Sequence, residues 1–192
     1  MMSSATMPDT QTLESRAELR SDEAAWLARC RQGDERAMDA IVARHRKRII
    51  RVAANVLRDS HEAEDVAQEA FLKAFRELHR LREDNAFSGY LYRICVRMCM
   101  DKLRSRRAET VEFECAEDGL AENIETRVLV ARLLDRLPAE LRMTLVLREM
   151  EQLSYDEVAE VMGVPVGTVR SRLHTARERF RVIWCQATKG TR

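Results

Sequence analysis

The sequence predicts an all-α fold, with two small helical domains joined by an acidic linker. Three observations lead there. Aromatic residues make up only 5% of the chain, which has three prolines and six glycines, too little strand and turn chemistry for a sandwich or barrel. Apolar residues recur at 3,4 spacing over long stretches of both halves, the signature of amphipathic helices. Between the halves, residues 108–126 (AETVEFECAEDGLAENIET) carry seven acidic and no basic side chains and show no strong periodicity. Extended at about 3.3 Å per residue, that segment could reach ~60 Å.

The net charge of +1 conceals a segregation. Residues 1–107 hold 21 basic and 17 acidic groups, and residues 127–192 hold 12 basic and eight acidic. Two basic blocks flanking an acidic bridge point to a polyanionic partner. No apolar run approaches the ~20 residues that span a bilayer, and the opening MMSSATMPDTQTLESR lacks the apolar core of a signal peptide. Membrane insertion and secretion are therefore not expected. Cys30, Cys95, Cys99, Cys115 and Cys185 are odd in number and irregularly spaced, as suits reduced thiols in the cytoplasm.

Residues 1–21 are polar and predict a mobile tail. The first domain, residues 22–107, opens with a helix bearing Ala25, Trp26, Leu27 and Cys30 and ending at Gly33. A longer helix follows, burying Ala37, Ile41, Ala43, His45, Ile49, Val52, Ala53, Val56 and Leu57. Its other face carries Arg44, Arg46, Lys47, Arg48 and Arg51, a charge run that ordinarily solvates a surface. In SHEAEDVAQEAFLKAFREL, the residues Ala63, Val66, Ala67, Ala70, Phe71, Ala74 and Phe75 form the apolar stripe of a third helix. Asp65, Gln68, Glu69, Leu72 and Lys73 fall mostly outside it. Glu62, Glu64, Asp65 and Glu69 suit the positive end of the helix dipole, with neither a pocket-forming glycine loop nor a partner histidine to suggest acid–base chemistry.

From Arg82 to Arg107 a loop, REDNAFSG, leads into YLYRICVRMCMDKLRSRR. Phe87, Tyr90 and Tyr92 alternate with Arg93, Arg97, Lys102, Arg104, Arg106 and Arg107. Rings beside cations suit single-stranded nucleic acid, where each stacked base contributes ~1–3 kcal/mol and cations follow the phosphates. The competing role for Tyr90, Leu91, Ile94 and Met98 is core packing. Cys95 and Cys99 fit small core positions, since a metal site there would need two further ligands.

The second domain, residues 127–187, begins with a helix over 128–137 that Pro138 stops, and a second that Pro138 opens and that runs through Met150. Then comes LSYDEVAEVMGVPVGTVRSRLHTARERF. Ser154 and Glu157 form a capping box. Tyr155, Val158, Ala159 and Met162 share one face, and Gly163 with Pro165 ends the helix. The following helix buries Val169, Leu173, Ala176 and Phe180. Gly167, Arg170, Ser171 and His174 lie on its outer face, with Thr175 on the flank. A short capped helix, a tight turn and a longer basic helix make a DNA-binding helix-turn-helix. Residues 188–192 form a tail.

On these motifs the chain resembles a family, the extracytoplasmic-function (group IV) sigma factors of bacterial RNA polymerase, and within it the sigma-E-like branch. The resemblance spans residues ~22–185 on motif spacing. Ala63-Glu64-Asp65, Gln68-Glu69 and Phe71 match the second-region signature, and Phe87, Tyr90, Leu91, Ile94, Cys95 and Arg97 follow the next pattern. Tyr90 stands there for a tryptophan, Cys95 for an alanine and Arg97 for an asparagine. GTVxSRLxxAR is complete from Gly167 to Arg177.

The resemblance implies a transcription initiation factor, not an enzyme, with no cofactor or metal. It assigns Asp65, Gln68, Glu69, Leu72 and Lys73 to the clamp helices of core polymerase, whose flap is a further partner. It assigns Asn85, Phe87, Tyr90, Arg93, Arg97, Lys102, Arg104, Arg106 and Arg107 to the melted downstream (minus-ten) element, with Asn85 and its loop taking an extruded base. It assigns Gly167, Thr168, Arg170, Ser171, His174, Thr175 and Arg177 to the duplex upstream (minus-thirty-five) element. An anti-sigma factor, in this family often membrane-anchored, is implied as inhibitor. The acidic linker also allows the modules to pack together or onto an inhibitor, hiding both DNA faces. The alternative is a stand-alone helix-turn-helix regulator. An enzyme built on His45, His61, His79 and the cysteines lacks ligand spacing.

Overall fold

The computed structural model describes residues 22–81, 86–109 and 123–189, all in helices and short connections. The expected tail over 1–21, the middle of the acidic linker and the last residues fall outside the described residues. Helix α1 covers residues 22–30. It is followed by α2 (Glu35–Leu57), α3 (Ser60–Arg76), a 3-10 turn (Leu78–Arg80) and α4 (Phe87–Glu109). The second module contains α5 (Asn123–Asp135), α6 (Ala139–Leu145), a π turn (Val146–Met150), α7 (Tyr155–Met162) and α8 (Val166–Lys189). Helices α4 and α5 thus run into both ends of the linker drawn from charge.

Local chemistry sets most boundaries. Gly33, at φ 82°, turns the chain out of α1. The Asp34 carboxylate then caps α2, accepting from the amides of Arg36 (3.0 Å) and Ala37 (3.3 Å), donors that no helical carbonyl can reach. Asp59 does the same for α3, accepting from the Glu62 amide at 2.9 Å. Pro138 precedes α6, where its missing N–H costs nothing. Ser154 and Glu157 complete their reciprocal cap on α7. Gly163, at φ 65°, ends α7 in the left-handed region, and Val164 and Pro165 complete a three-residue turn into α8.

The apolar stripes fall close to where the spacing puts them. All eight buried residues of α2 are among those expected, and so are the six of α3. Ala25 and Ala43 prove exposed; Ala43, two residues from both Ile41 and His45, falls on the opposite side of α2 from them. Val161 joins the core of α7. Phe75 is only half-buried, stacked between Phe71 and Phe87 at 6.2 Å from each.

The two modules do not stand apart. One continuous hydrophobic cluster includes Ile41, Val66 and Leu91 of the first and Met143, Leu147 and Val158 of the second. Helix α4 lies between them, packed on α2 and α3 and, from the second module, on α7. Sandwiched this way, it buries Leu91, Tyr92, Ile94, Cys95, Val96 and Cys99. Among its described side chains the exposed positions are 93, 97, 101, 104 and 105, all on one side of the helix.

Candidate nucleic-acid interface

Helix α8 presents the face that the spacing predicts. Gly167, Arg170, Ser171 and His174 are exposed, Thr168 and Thr175 half-buried, and Val169, Leu173 and Ala176 fully in the core. The Ser171 hydroxyl donates back to the Thr168 carbonyl at 3.0 Å. A Cβ on Gly167 would meet nothing within 4 Å, so packing within the chain does not require glycine there. Arg177 is tied down, its guanidinium donating to Glu149 through Nε (3.1 Å) and Nη2 (2.5 Å). Those bonds, ahead of opposing burial, raise its pKa further. Arg172 pairs with Glu140. These two arginines fix the recognition helix to α6 and the π turn, leaving Arg170 as the outward cation of the first two turns.

On α3, Asp65, Gln68, Glu69, Leu72 and Lys73 are all exposed. Leu72 is 53% exposed on this otherwise polar face. Glu62 is drawn into the fold, paired with Arg106, whereas Glu64 stays exposed, 3.5 Å from an equally exposed Arg46.

The downstream set divides. Arg97 and Arg104 are exposed, each against Asp101 at 4.0 and 3.0 Å, and Lys102 is half-buried. Tyr90 is half-buried, and its hydroxyl donates to Glu77. Burial, then that bond, pushes the Tyr90 pKa up to about 12, while the same bond chiefly holds Glu77 low. Two expected residues are corrected. Phe87 is a core residue with no exposure, edge-on to His45 at 5.9 Å, because the start of α4 tucks against α2 and α3; it is no stacking platform. Arg106 donates to the Leu57 carbonyl at 2.9 Å and to Glu62, closing the end of α2 onto α4. Asn85 lies outside the described residues, as does the Arg107 side chain.

The sequence missed the seam between the modules. Glu151 follows the π turn, and its side chain has no exposure. Three groups of the first module converge on it. Arg48 reaches Oε2 through Nε at 3.1 Å and the Glu151 carbonyl at 3.3 Å. Arg51 reaches Oε1 at 2.7 Å, and the Tyr92 hydroxyl donates to Oε2 at 2.9 Å. Burial pushes the Glu151 carboxyl up, but the bonds from Arg51 and Tyr92 more than offset it, and the pKa lies below the ordinary glutamate value. Arg58 reaches Asp135 at 2.6 Å, and Arg93 pairs with Glu160. In each of these pairs the arginine comes from the first module and the carboxylate from the second. The basic face of α2 is therefore not simply solvated, as its charge run suggested. Arg44 is also occupied, 2.8 Å from Glu23 and over the Trp26 ring.

This seam limits the expected mutual masking. Helix α7 covers part of α4, while the outward face of α8 remains open. Of the two faces expected to meet DNA, only part of one is covered.

A helix-turn-helix module packed through salt bridges on a second basic helical module defines a two-site nucleic-acid-binding protein. Comparison with known proteins assigns each half. The Sigma-70 region 2 family matches residues 41–109 and the Sigma-70 region 4 family residues 127–180. The RNA polymerase sigma-H factor of Pseudomonas aeruginosa is 40% identical over 170 residues, covering 79% of this chain and 88% of that protein. The ECF RNA polymerase sigma-E factor of Escherichia coli is 39% identical over the same coverage. The chain belongs to the extracytoplasmic-function sigma factors, which are transcription initiation factors and not enzymes.

Two solved structures share the fold. CnrH, in complex with the cytosolic domain of CnrY, superposes with a TM-score of 0.69 and 25% identity, over 86% of this chain and 98% of that one. The sigma factor RpoE of Bartonella quintana, in complex with the anti-sigma factor NepR, gives 0.62 and 20%, over 76% and 95%. The CnrH superposition takes in both modules at once. Among the described residues, no cluster of three or more His, Cys, Asp or Glu could hold a metal, and no helix is long and apolar enough to cross a membrane.

Proposed function

We propose that the chain binds core RNA polymerase through the exposed face of α3 and guides it to stress-type promoters. Asp65, Gln68, Glu69, Leu72 and Lys73 meet the clamp helices of the largest subunit. A second polymerase contact uses an apolar groove of about 670 Å3 in the second module. Val130, Leu134, Val146, Phe180 and Trp184 line it, and it suits an apolar segment such as the flap.

Helix α8 enters the major groove of the upstream element. Arg170 takes a guanine edge, and Ser171, His174 and Thr175 meet neighbouring bases or phosphates. The Gly167 amide, at the first turn of α8, faces a phosphate, while the Thr168 amide already donates to the Pro165 carbonyl at 2.9 Å. Tyr90, Arg93, Arg97, Lys102 and Arg104 hold the melted downstream strand, with Asn85 and its loop taking an extruded base in a fitted pocket that offsets the unstacking cost.

The observation that carries this assignment is the pairing of two exposed faces, an outward recognition face on α8 and a polar face with an exposed leucine on α3. The two promoter elements lie about 25 base pairs apart, or about 85 Å at 3.4 Å per pair. A compact chain of this length has a radius of gyration of about 16 Å. Engaging both elements therefore requires the modules to separate.

In the cell the protein is cytoplasmic, held by an anti-sigma factor until a signal releases it. A structure of the same fold with an anti-sigma factor bound, RpoE with NepR, and the complex of CnrH with the cytosolic domain of CnrY support this part. Transcription by core polymerase plus this protein from a genomic promoter library tests the proposal. Discrete, chain-dependent start sites are expected, and their absence would leave the stand-alone regulator in its place.

A further inference from the structure

Arg48, Arg51 and Asn55 are spaced 3 and 4 along one face of α2, and Arg58 caps the helix in the left-handed region, so a stripe of about 15 Å at 1.5 Å per residue runs to the helix end and just past it. Each of its three arginines is occupied by a carboxylate of the second module, Glu151 for the first two and Asp135 for the third. Arg93 on α4 meets Glu160 in the same way. The only non-glycine residues in the left-handed region among the described residues, Arg58 and Gln152, both lie at this seam. Such strained positions persist where surrounding contacts hold them, and they gather at elements that switch.

When the modules separate to span a promoter, these guanidiniums lose their partners together. A planar guanidinium fork that fits a carboxylate also fits a phosphate. Tyr92, only 2% exposed in the closed protein, is released beside them, placing a ring among the cations. That combination suits unpaired strand better than duplex, because a base can stack on the ring while the arginines hold the backbone.

We propose that Arg48 and Arg51 of α2 and Arg58 at its C-cap, with Tyr92 and Arg93 of α4, form a single-stranded DNA backbone site that Asp135, Glu151 and Glu160 occupy in the closed protein. The second module then acts as a carboxylate mimic of the phosphates it excludes. The site extends the strand-holding surface beyond Arg97 and Arg104, and rests on the proposed single-strand role of α4. Binding core polymerase and promoter exchanges carboxylate for phosphate on the same side chains, so that one set of arginines both closes the free protein and retains the melted strand.

Two measurements test this. In the first, the full chain is titrated with a fluorescent 12-nucleotide oligodeoxythymidine at fixed salt. Glu151→Gln with Glu160→Gln removes two of the masking charges. The pair should bind the oligonucleotide about fivefold more tightly than wild type, since affinity rises with the open fraction. Unchanged affinity would overturn the masking.

The second uses holoenzyme on a pre-melted template of a promoter that wild-type holoenzyme selects. Arg48→Gln and Arg51→Gln are made on the Glu151→Gln background, so that no buried carboxylate is stranded. Removing two phosphate contacts from a single strand should lower the slope of log K against log salt by about 1.4, and leave binding of an upstream-element duplex unchanged. A slope equal to that of Glu151→Gln alone would reduce the stripe to a latch and overturn the site. Holoenzyme that selects no promoter at all would instead overturn the sigma-factor function.

Discussion

Removing Arg51 should damage the closed protein more than removing the charge of the glutamate it serves. Glu151 has no side-chain exposure, whereas the side chains of Arg48 and Arg51 are 46% and 42% exposed. Arg51→Met keeps the aliphatic stem and deletes the 2.7 Å bond, leaving a buried carboxylate with Arg48 and Tyr92 alone. A hydrogen bond to a charged group contributes about 1.5–3 kcal/mol, and stranding a buried charge completely costs about 3–5. With two partners retained, about 3 kcal/mol is expected.

Glu151→Gln is nearly isosteric and removes the buried charge. The arginines it abandons reach water directly, so about 1 kcal/mol is expected, in the range of exposed pairs. In the double variant the cost should return toward that of Glu151→Gln, since the stranded charge is gone, and the cycle gives the coupling. Urea denaturation suits the measurement because each module carries one tryptophan, Trp26 and Trp184. Single-tryptophan forms then follow the modules separately, and loss of the seam should pull their transitions apart. Equal costs for Arg51→Met and Glu151→Gln, or Glu151→Gln costing more, would refute the reasoning that the asymmetry of burial governs this pair.

Three further outcomes are expected. Gly167→Ala meets open space and replaces the weaker helix former, so it should leave stability unchanged or raise it by up to about 1 kcal/mol. It should nevertheless weaken upstream-duplex binding in holoenzyme if backbone approaches phosphate there, as a melt and a mobility shift would together reveal. Charge reversal at Asp65 or Glu69 should lower affinity for core polymerase with no change in melting temperature, because both side chains are exposed; a large loss of stability would return them to a structural role. Acidification should open the molecule. The Glu151 pKa is lowered in the closed form, where Arg48, Arg51 and Tyr92 face it. Its contribution is therefore fully present above the ordinary glutamate value of 4.5 and lost as pH falls below it. Small-angle scattering should show expansion there in wild type and a weaker pH response in Glu151→Gln.

The sequence made the elements legible because their determinants are local. Asp34, Asp59, the Ser154–Glu157 box and Gly163 each act within a few residues, and the 3,4 stripes of α2, α3 and α8 specify which face is buried. The seam was not legible, because Arg48 and Arg51 lie about a hundred positions from Glu151 and no local rule pairs them. A trace of it was present in α4. Leu91, Tyr92, Ile94, Cys95, Val96, Met98, Cys99 and Met100 are apolar nearly all round, and such a helix is buried on more than one side. Phe87 misled for a related reason. A ring beside cations reads alike whether it faces solvent or core, and only the packing of α4 on His45 and Phe75 decides. The α8 face was easier, since three core positions on one side leave few choices for the other.

The central claim is that promoter recognition belongs to the chain joined with core polymerase and not to the chain alone. The direct measurement is a footprint on a promoter selected by the holoenzyme, with and without core enzyme, at one stated salt concentration. Alone, the protein has an open α8 face but a partly covered α4, and its modules must be separated, ordered and spaced on binding, at an entropic cost. On core polymerase the second contact becomes intramolecular. Protection of both elements should appear only with core enzyme, with weak protection at most over the upstream element without it. Strong, sequence-specific protection of both elements by the isolated protein would contradict the account.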